Sequence, residues 1–249
     1  MFLHGLGLDA NDFRPYLVES RYHCIALTMY GFNAFERTDE HYRPISLLTH
    51  TQLLNYAVDR IRSMHPRKRI TLVGFSFGAD MIFLLSRVAD VALRRPGIHK
   101  VVLLDPNVNR QTTTISSKIA QVRQVEDPNA QLLELLRSAN NASEFRYLCE
   151  YLYKIMSKNL EHIRRHAADM VAEWDVDGPD HFLDLLGQLT KATHGAHVVF
   201  SFNHERLFNS VAHAAADRGM NVESLQCSQL DHFELIGAGF LRDVLEGAL

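Results

Sequence analysis

Three cysteines, one tryptophan and seven prolines are few for a chain of 249 residues, and each scarcity excludes something. Cys24, Cys149 and Cys227 are odd in number and far apart, so they suggest neither a disulfide framework nor a cysteine metal site and fit a reducing compartment. With seven prolines and 13 glycines the chain is neither collagen-like nor of low complexity. No apolar run approaches the roughly 20 residues that span a bilayer. Neither sign of charge dominates, 26 Lys+Arg standing against 29 Asp+Glu for a net −3, so there is no electrostatic footprint for nucleic acid or an anionic membrane. The expected partner is therefore a small molecule in a local site, and oligomeric state is left open. What is present is apolar material: 47% hydrophobic residues are enough for a full core in a chain of this length.

The segment Met1-Phe2-Leu3-His4-Gly5 has no basic stretch followed by a long apolar one and a small-residue cleavage site. The expectation is a cytoplasmic protein without a signal peptide. The chain also starts almost directly on a strand, which hints at a longer gene product.

Periodicity and punctuation predict strands near 1–4, 23–29, 69–75 and 100–104, with helices near 12–19, 47–64 and 77–94 between them. His65-Pro66 and Arg95-Pro96-Gly97 close the second and third helices. Short, mostly apolar strands alternating with amphipathic helices indicate a parallel sheet covered on both faces. From about Gln111 the rhythm changes. Asp127-Pro128 opens one helix, Asn141 with Glu144 three residues on opens another, and Phe145, Leu148, Leu152, Ile155, Leu160 and Ile163 keep helical spacing. No β-like run occurs between Val108 and Ala196, so 111–193 is read as an inserted helical lid, with 1–110 and 194–249 as the core. Strands near 197–202 and 222–227 and helices near 207–218 and 240–249 complete the alternation.

The informative segment is Ile70-Thr71-Leu72-Val73-Gly74-Phe75-Ser76-Phe77-Gly78, a strand running through G-x-S-x-G into a helix. Such a turn holds the serine in a strained conformation, and the small Gly74 and Gly78 let strand and helix approach closely. Ser76 then projects from the carboxyl edge of the sheet, where the amide of Phe77 faces a developing oxyanion. His4-Gly5-Leu6-Gly7 after the first strand offers a second donor at the amide of Leu6, and Leu230-Asp231-His232-Phe233 after the last strand offers an imidazole.

Elbow, oxyanion loop and late histidine in that chain order resemble the α/β-hydrolase superfamily in its serine-nucleophile, lid-bearing branch. The resemblance covers nearly the whole chain. It implies an α/β-hydrolase fold with a mostly parallel sheet flanked by helices, Ser76 as nucleophile, His232 as general base, and the amides of Leu6 and Phe77 as oxyanion hole. It also implies cleavage of a carboxylic ester or thioester through an acyl-enzyme on Ser76, with no cofactor and no metal. The third triad member departs from the commonest pattern. After the strand at 197–202 come Asn203, His204 and Glu205, with no aspartate in the turn. The acid is then either Asp105, in Leu103-Leu104-Asp105-Pro106, or Glu205. Two alternatives stay open: acyl transfer from the same acyl-enzyme to an alcohol or amine, and a non-catalytic hydrolase-fold protein that binds a small ligand.

Three other patterns carry less. Gly5-Leu6-Gly7-Leu8-Asp9-Ala10 fits a dinucleotide fingerprint, but no acid for the ribose occurs from Arg21 to Phe35. His162 and His166 have the i, i+4 spacing of zinc ligands, but adjacent Arg164 and Arg165 would repel a cation, and a solvated helix face is expected. Tyr147, Tyr151 and Tyr153 are read as helix-packing residues rather than as pocket lining.

Overall fold

The computed structural model describes residues 1–33, 43–88, 98–122, 127–139 and 141–247. Six parallel strands form one sheet, β1 (Phe2–Leu3), β2 (Ala26–Leu27), β3 (Ile70–Phe75), β4 (Ile98–Leu104), β5 (Ala196–Phe200) and β6 (Leu225–Cys227), in the order β2-β1-β3-β4-β5-β6. The chain reverses its direction of travel across the sheet between β1 and β3, the place where open α/β sheets present their carboxyl ends to a ligand. β3 and β4 are apolar and buried at nearly every position, as central strands must be.

Helices α1 (Arg14–Glu19), α2 (Leu47–Met64) and α3 (Phe77–Val88) follow the first three strands. α2 starts at Ser46, whose side chain accepts from the Thr49 amide, and ends at His65, before Pro66. The predicted extension of α3 to residue 94, with its Arg95-Pro96-Gly97 stop, lies outside the described residues. Between β4 and β5 every regular element described is helical: α4 (Thr114–Ala120), α5 (Pro128–Leu133), α6 (Ala142–Met156), α7 (Leu160–Glu173) and α8 (Asp180–Ala192). Asn141 caps α6 by accepting from the Glu144 amide, and Asp127 accepts from the Ala130 amide at the start of α5. Leu148, Leu152, Ile155 and Ile163 are buried as their spacing predicts, whereas Phe145 is exposed. α4 packs on α7, and α8 returns to the sheet against α3 and β5. α9 (Glu205–Asp217) and α10 (Ala238–Gly247) complete the chain.

Four expectations are corrected. β1 and β2 have only two paired residues each; β2 lies at the sheet edge, where pairing is available on one side alone. The expected strand at 222–227 begins at Leu225, because Asn221 accepts from the Glu223 amide and holds Val222–Ser224 in a 3₁₀ turn. The expected strand at 197–202 ends at Phe200, since Ser201 turns its backbone amide and hydroxyl toward Asp105. His162 and His166 are not on a solvated face: both are fully buried where α7 meets α2. Arg164 is paired with Glu161 at 2.7 Å and Arg165 is exposed, so neither charge sits among the imidazoles.

Candidate active site

Ser76 directly follows β3, and its backbone stands at φ 50°, in the left-handed region that non-glycine residues seldom enter. Its amide donates to the Leu104 carbonyl at 2.8 Å, while its own carbonyl accepts from the Ala79 and Asp80 amides and so starts α3. The bend is close-packed backbone on backbone. A Cβ added at Gly78 would lie 2.2 Å from the Leu3 carbonyl oxygen, and one at Gly74 would lie 2.5 Å from that of Gly78. Both glycines are therefore required by contact.

β-Sheet register puts Phe75 beside Leu104 and Leu104 beside Val199, so the residues just past those strand ends, Ser76 and Asp105, are neighbours. Asp105 also has a positive φ, 49°, and its side chain is buried. Its Oδ1 accepts from the Ser201 amide at 2.8 Å and from His204 Nδ1 at 2.9 Å; its Oδ2 accepts from the Ser201 hydroxyl at 2.7 Å and from His232 Nδ1 at 2.6 Å. Burial alone would raise its pKa. The charge of His204 and the donors around the carboxylate outweigh that and hold it well below the usual carboxylate range. His204 responds in kind: burial would lower its pKa, yet the Asp105 charge and hydrogen bond raise it.

The loop that carries His232 is pinned at both ends. Phe202 donates its amide to the Leu230 carbonyl at 2.8 Å, and Asp231 and Glu234 exchange side-chain-to-amide bonds at 3.0 Å. The imidazole rests on Phe75, ring centroids 4.6 Å apart. With Nδ1 engaged by Asp105, Nε2 is the nitrogen left for proton transfer.

Ser76, Asp105, His232 and Leu6 all line one cavity of about 310 Å³. Gly5, Leu8, Leu148, Tyr151 and Phe233 give it apolar walls, while Gln111, Thr114, Lys118 and Glu144 from the helical insertion give it a polar roof. Of the three tyrosines, Tyr151 lines this cavity and Tyr153 is exposed. Phe77 is the first residue of α3, and its ring packs against Phe32 and His166. Its amide belongs to the first helical turn, whose donors have no intrahelical acceptor. Glu205 is not brought to the cavity: it opens α9 with an exposed side chain.

The loop bearing Leu6 is braced from two directions. His4 Nε2 accepts from the Met29 amide at 3.0 Å, which leaves Nδ1 to donate to the Gly5 carbonyl at 2.8 Å. Burial lowers the His4 pKa to about 4, so the ring is neutral and its tautomer fixed. From the insertion, buried Lys158 donates to the Gly7 carbonyl and to Asp9 Oδ2, both at 2.9 Å. Asp9 also accepts from the Asn11 amide at the start of the next turn.

Sequence reasoning missed His204, Ser201 and Lys158. His204 carried a usable signal, since a histidine in the turn after β5 sits where an acid commonly stands and needs an acceptor nearby. Lys158 carried none, because its partners are about 150 residues away in the chain.

Solved structures with this arrangement of strands and helices are numerous, and all those named here share less than a fifth of their residues with this chain. MenH from S. aureus superposes with a TM-score of 0.67 at 13% identity, over 99% of this chain and 91% of its own. A thermophilic esterase from Thermogutta terrifontis gives 0.66 at 15% identity, over 99% and 88%. A 1H-3-hydroxy-4-oxoquinoline 2,4-dioxygenase gives 0.65 at 14% identity, over 100% and 90%. No curated protein shows a significant sequence match. At such identities likeness extends to the fold, which hosts more than one chemistry among these three. Residues 1–239 match the model of the Alpha/beta hydrolase family, and with the parallel sheet, the serine bend after β3 and the helical insertion after β4 this chain belongs to that family.

Proposed function

We propose that the protein is a serine hydrolase that cleaves a carboxylic ester or thioester in the cavity above Ser76. The observation that carries the reading is the 2.6 Å bond between Asp105 Oδ2 and His232 Nδ1 on the wall that Ser76 also lines. A serine hydroxyl is a weak nucleophile, and a neutral imidazole oriented by a carboxylate is the group that activates it. In the proposed cycle Ser76 Oγ attacks the acyl carbon as its proton passes to His232 Nε2. The amides of Leu6 and Phe77 meet the negative charge on the carbonyl oxygen. The imidazolium then protonates the departing alcohol or thiol, and water activated by the same ring hydrolyses the acyl-enzyme. Loss of one oxyanion donor in such a site costs about 2.7–4 kcal/mol of barrier.

The lining supports a substrate with an apolar acyl portion and a polar part, since Lys118 and Glu144 line the cavity together with Leu8 and Leu148. The test is labelling by a fluorophosphonate together with turnover of short p-nitrophenyl esters. The expected result is one label at Ser76 that Ser76→Ala abolishes together with turnover. Folded protein that neither labels nor turns over such esters would overturn the proposal in favour of a binding module.

A further inference from the structure

Behind Phe77, three histidines converge at the seam between core and insertion. His50 lies in the first turn of α2, and His162 and His166 are one turn apart on α7; their exposures are 3%, 0% and 0%. One ring nitrogen from each lies within 4.8 Å of the others. Ring centroids are 4.2 Å apart for His162 and His166, 4.5 Å for His50 and His166, and 5.3 Å for His50 and His162. Phe32 and Phe77 stack on His166, each at 5.8 Å, and close the walls.

Burying three imidazoles among aromatic rings is costly unless their lone pairs are used. One of the rings is already oriented on one side. His50 Nε2 donates to the Tyr30 carbonyl at 2.8 Å, which leaves a buried Nδ1 with no hydrogen-bond partner. His166 Nδ1 lies 3.9 Å from Asp169 Oδ2, beyond hydrogen-bond reach, and both of its ring nitrogens are buried without a hydrogen-bond partner. The carbonyl behind His50 and the carboxylate near His166 are outer partners of the kind that hold metal-ligating histidines. Burial first, and then the neighbouring imidazoles, lower the pKa of His50 to about 3 and of His162 to about 2, so both are neutral as ligands must be.

We propose that His50, His162 and His166 bind a divalent transition-metal ion of the zinc type, which fastens α2 of the core to α7 of the insertion. Three imidazoles and one water complete a tetrahedron. Zinc–nitrogen bonds of about 2.0–2.1 Å place the ligating nitrogens about 3.3 Å apart, so the rings close on the ion by small rotations. None of the three ligating histidines takes part in the proposed ester chemistry; the two sites meet only at Phe77, whose ring stacks on His166 while its amide faces the other cavity's reaction.

The test uses the full-length protein, stripped with a chelator and titrated with cobalt(II) or zinc(II). Expected are one equivalent bound per chain, the visible bands of four-coordinate cobalt, and a rise of about 5–10 °C in Tm at zinc concentrations about a hundredfold above Kd. His166→Leu and His50→Gln should remove the cobalt bands. Wild-type protein that takes up no equivalent of zinc, cobalt or nickel with Kd below about 10 μM would overturn the proposal, whatever the variants do. So would undiminished binding in a folded His166→Leu variant, which would place the metal at pairs nearer the surface such as His23–His65 or His99–His194.

Discussion

Ser76 and Asp105 are neighbours at the ends of β3 and β4 and share one backbone anomaly, φ 50° and 49°, joined through the bond from the Ser76 amide to the Leu104 carbonyl. Two adjacent strands thus end in the same left-handed step, each costing of order 1 kcal/mol or more, and the residues at both steps line one cavity. Strain of that kind persists only where surrounding structure over-determines it, here the glycine contacts below Ser76 and the four donors around Asp105.

Asp105→Asn should therefore leave the fold largely intact, since asparagine tolerates the left-handed conformation. Turnover of an activated ester should fall by about 10⁴, the loss seen when an amide replaces the orienting carboxylate of a serine protease. Glu205→Gln, on the exposed start of α9, should leave it unchanged. Steady-state kinetics on the two variants side by side checks the assignment, and equal losses would refute it.

His204 shares Asp105 with His232, each ring bonded to one carboxylate oxygen. His204→Gln keeps a donor to Asp105 without the charge. A histidine whose folded pKa is raised stabilises fully below its unfolded value and ceases to do so as pH rises through the folded one. The variant should lose Tm at pH 5–6 and approach wild type at pH 9.

Asp80, four residues into the chain beyond Ser76, is buried and accepts from the Asn107 amide at 3.2 Å and side chain at 2.6 Å. Burial pushes its pKa up to about 7 despite those donors. The folded state then holds this proton more tightly than the unfolded one, and its stabilising effect is lost between about pH 4 and 7. Asp80→Asn should flatten the fall of stability across that window, where one such group contributes a slope of up to about 1.4 kcal/mol per pH unit. Denaturant titrations at pH 4.5, 6 and 7.5 would show it.

Gly78→Ala drives a Cβ into the Leu3 and His4 carbonyls, at 2.2 and 2.9 Å. Relief requires β1 to move, and with it the loop that carries Leu6. Both Tm and kcat should drop, while Gly187→Ala in α8, where a Cβ meets nothing within 4 Å, should be neutral or slightly stabilising.

The strand–helix alternation, both ends of α2 and the bend at Ser76 were legible because they rest on local signals: caps, prolines, and glycines with a contact to make. Which carboxylate stands beside His232 was not, because Asp105 and Glu205 differ in whether the chain after β5 turns or starts a helix. That choice is made by Ser201 and His204 reaching a carboxylate some 100 residues away. His162 and His166 misled for a related reason. Arg164 and Arg165 mark a wet face, but on a helix they lie to the side, and the stripe between them docks on α2, from more than 100 residues earlier.

Gly7, at φ 76°, has Ile155 directly overhead: a Cβ there would lie 2.7 Å from Ile155 Cγ1. Three residues on, Lys158 is tethered to the same loop. Roof and floor of the cavity are consequently one mechanical unit. Transplanting another insertion to retarget specificity would have to preserve Ile155 and Lys158, or the floor would loosen together with the exchanged roof.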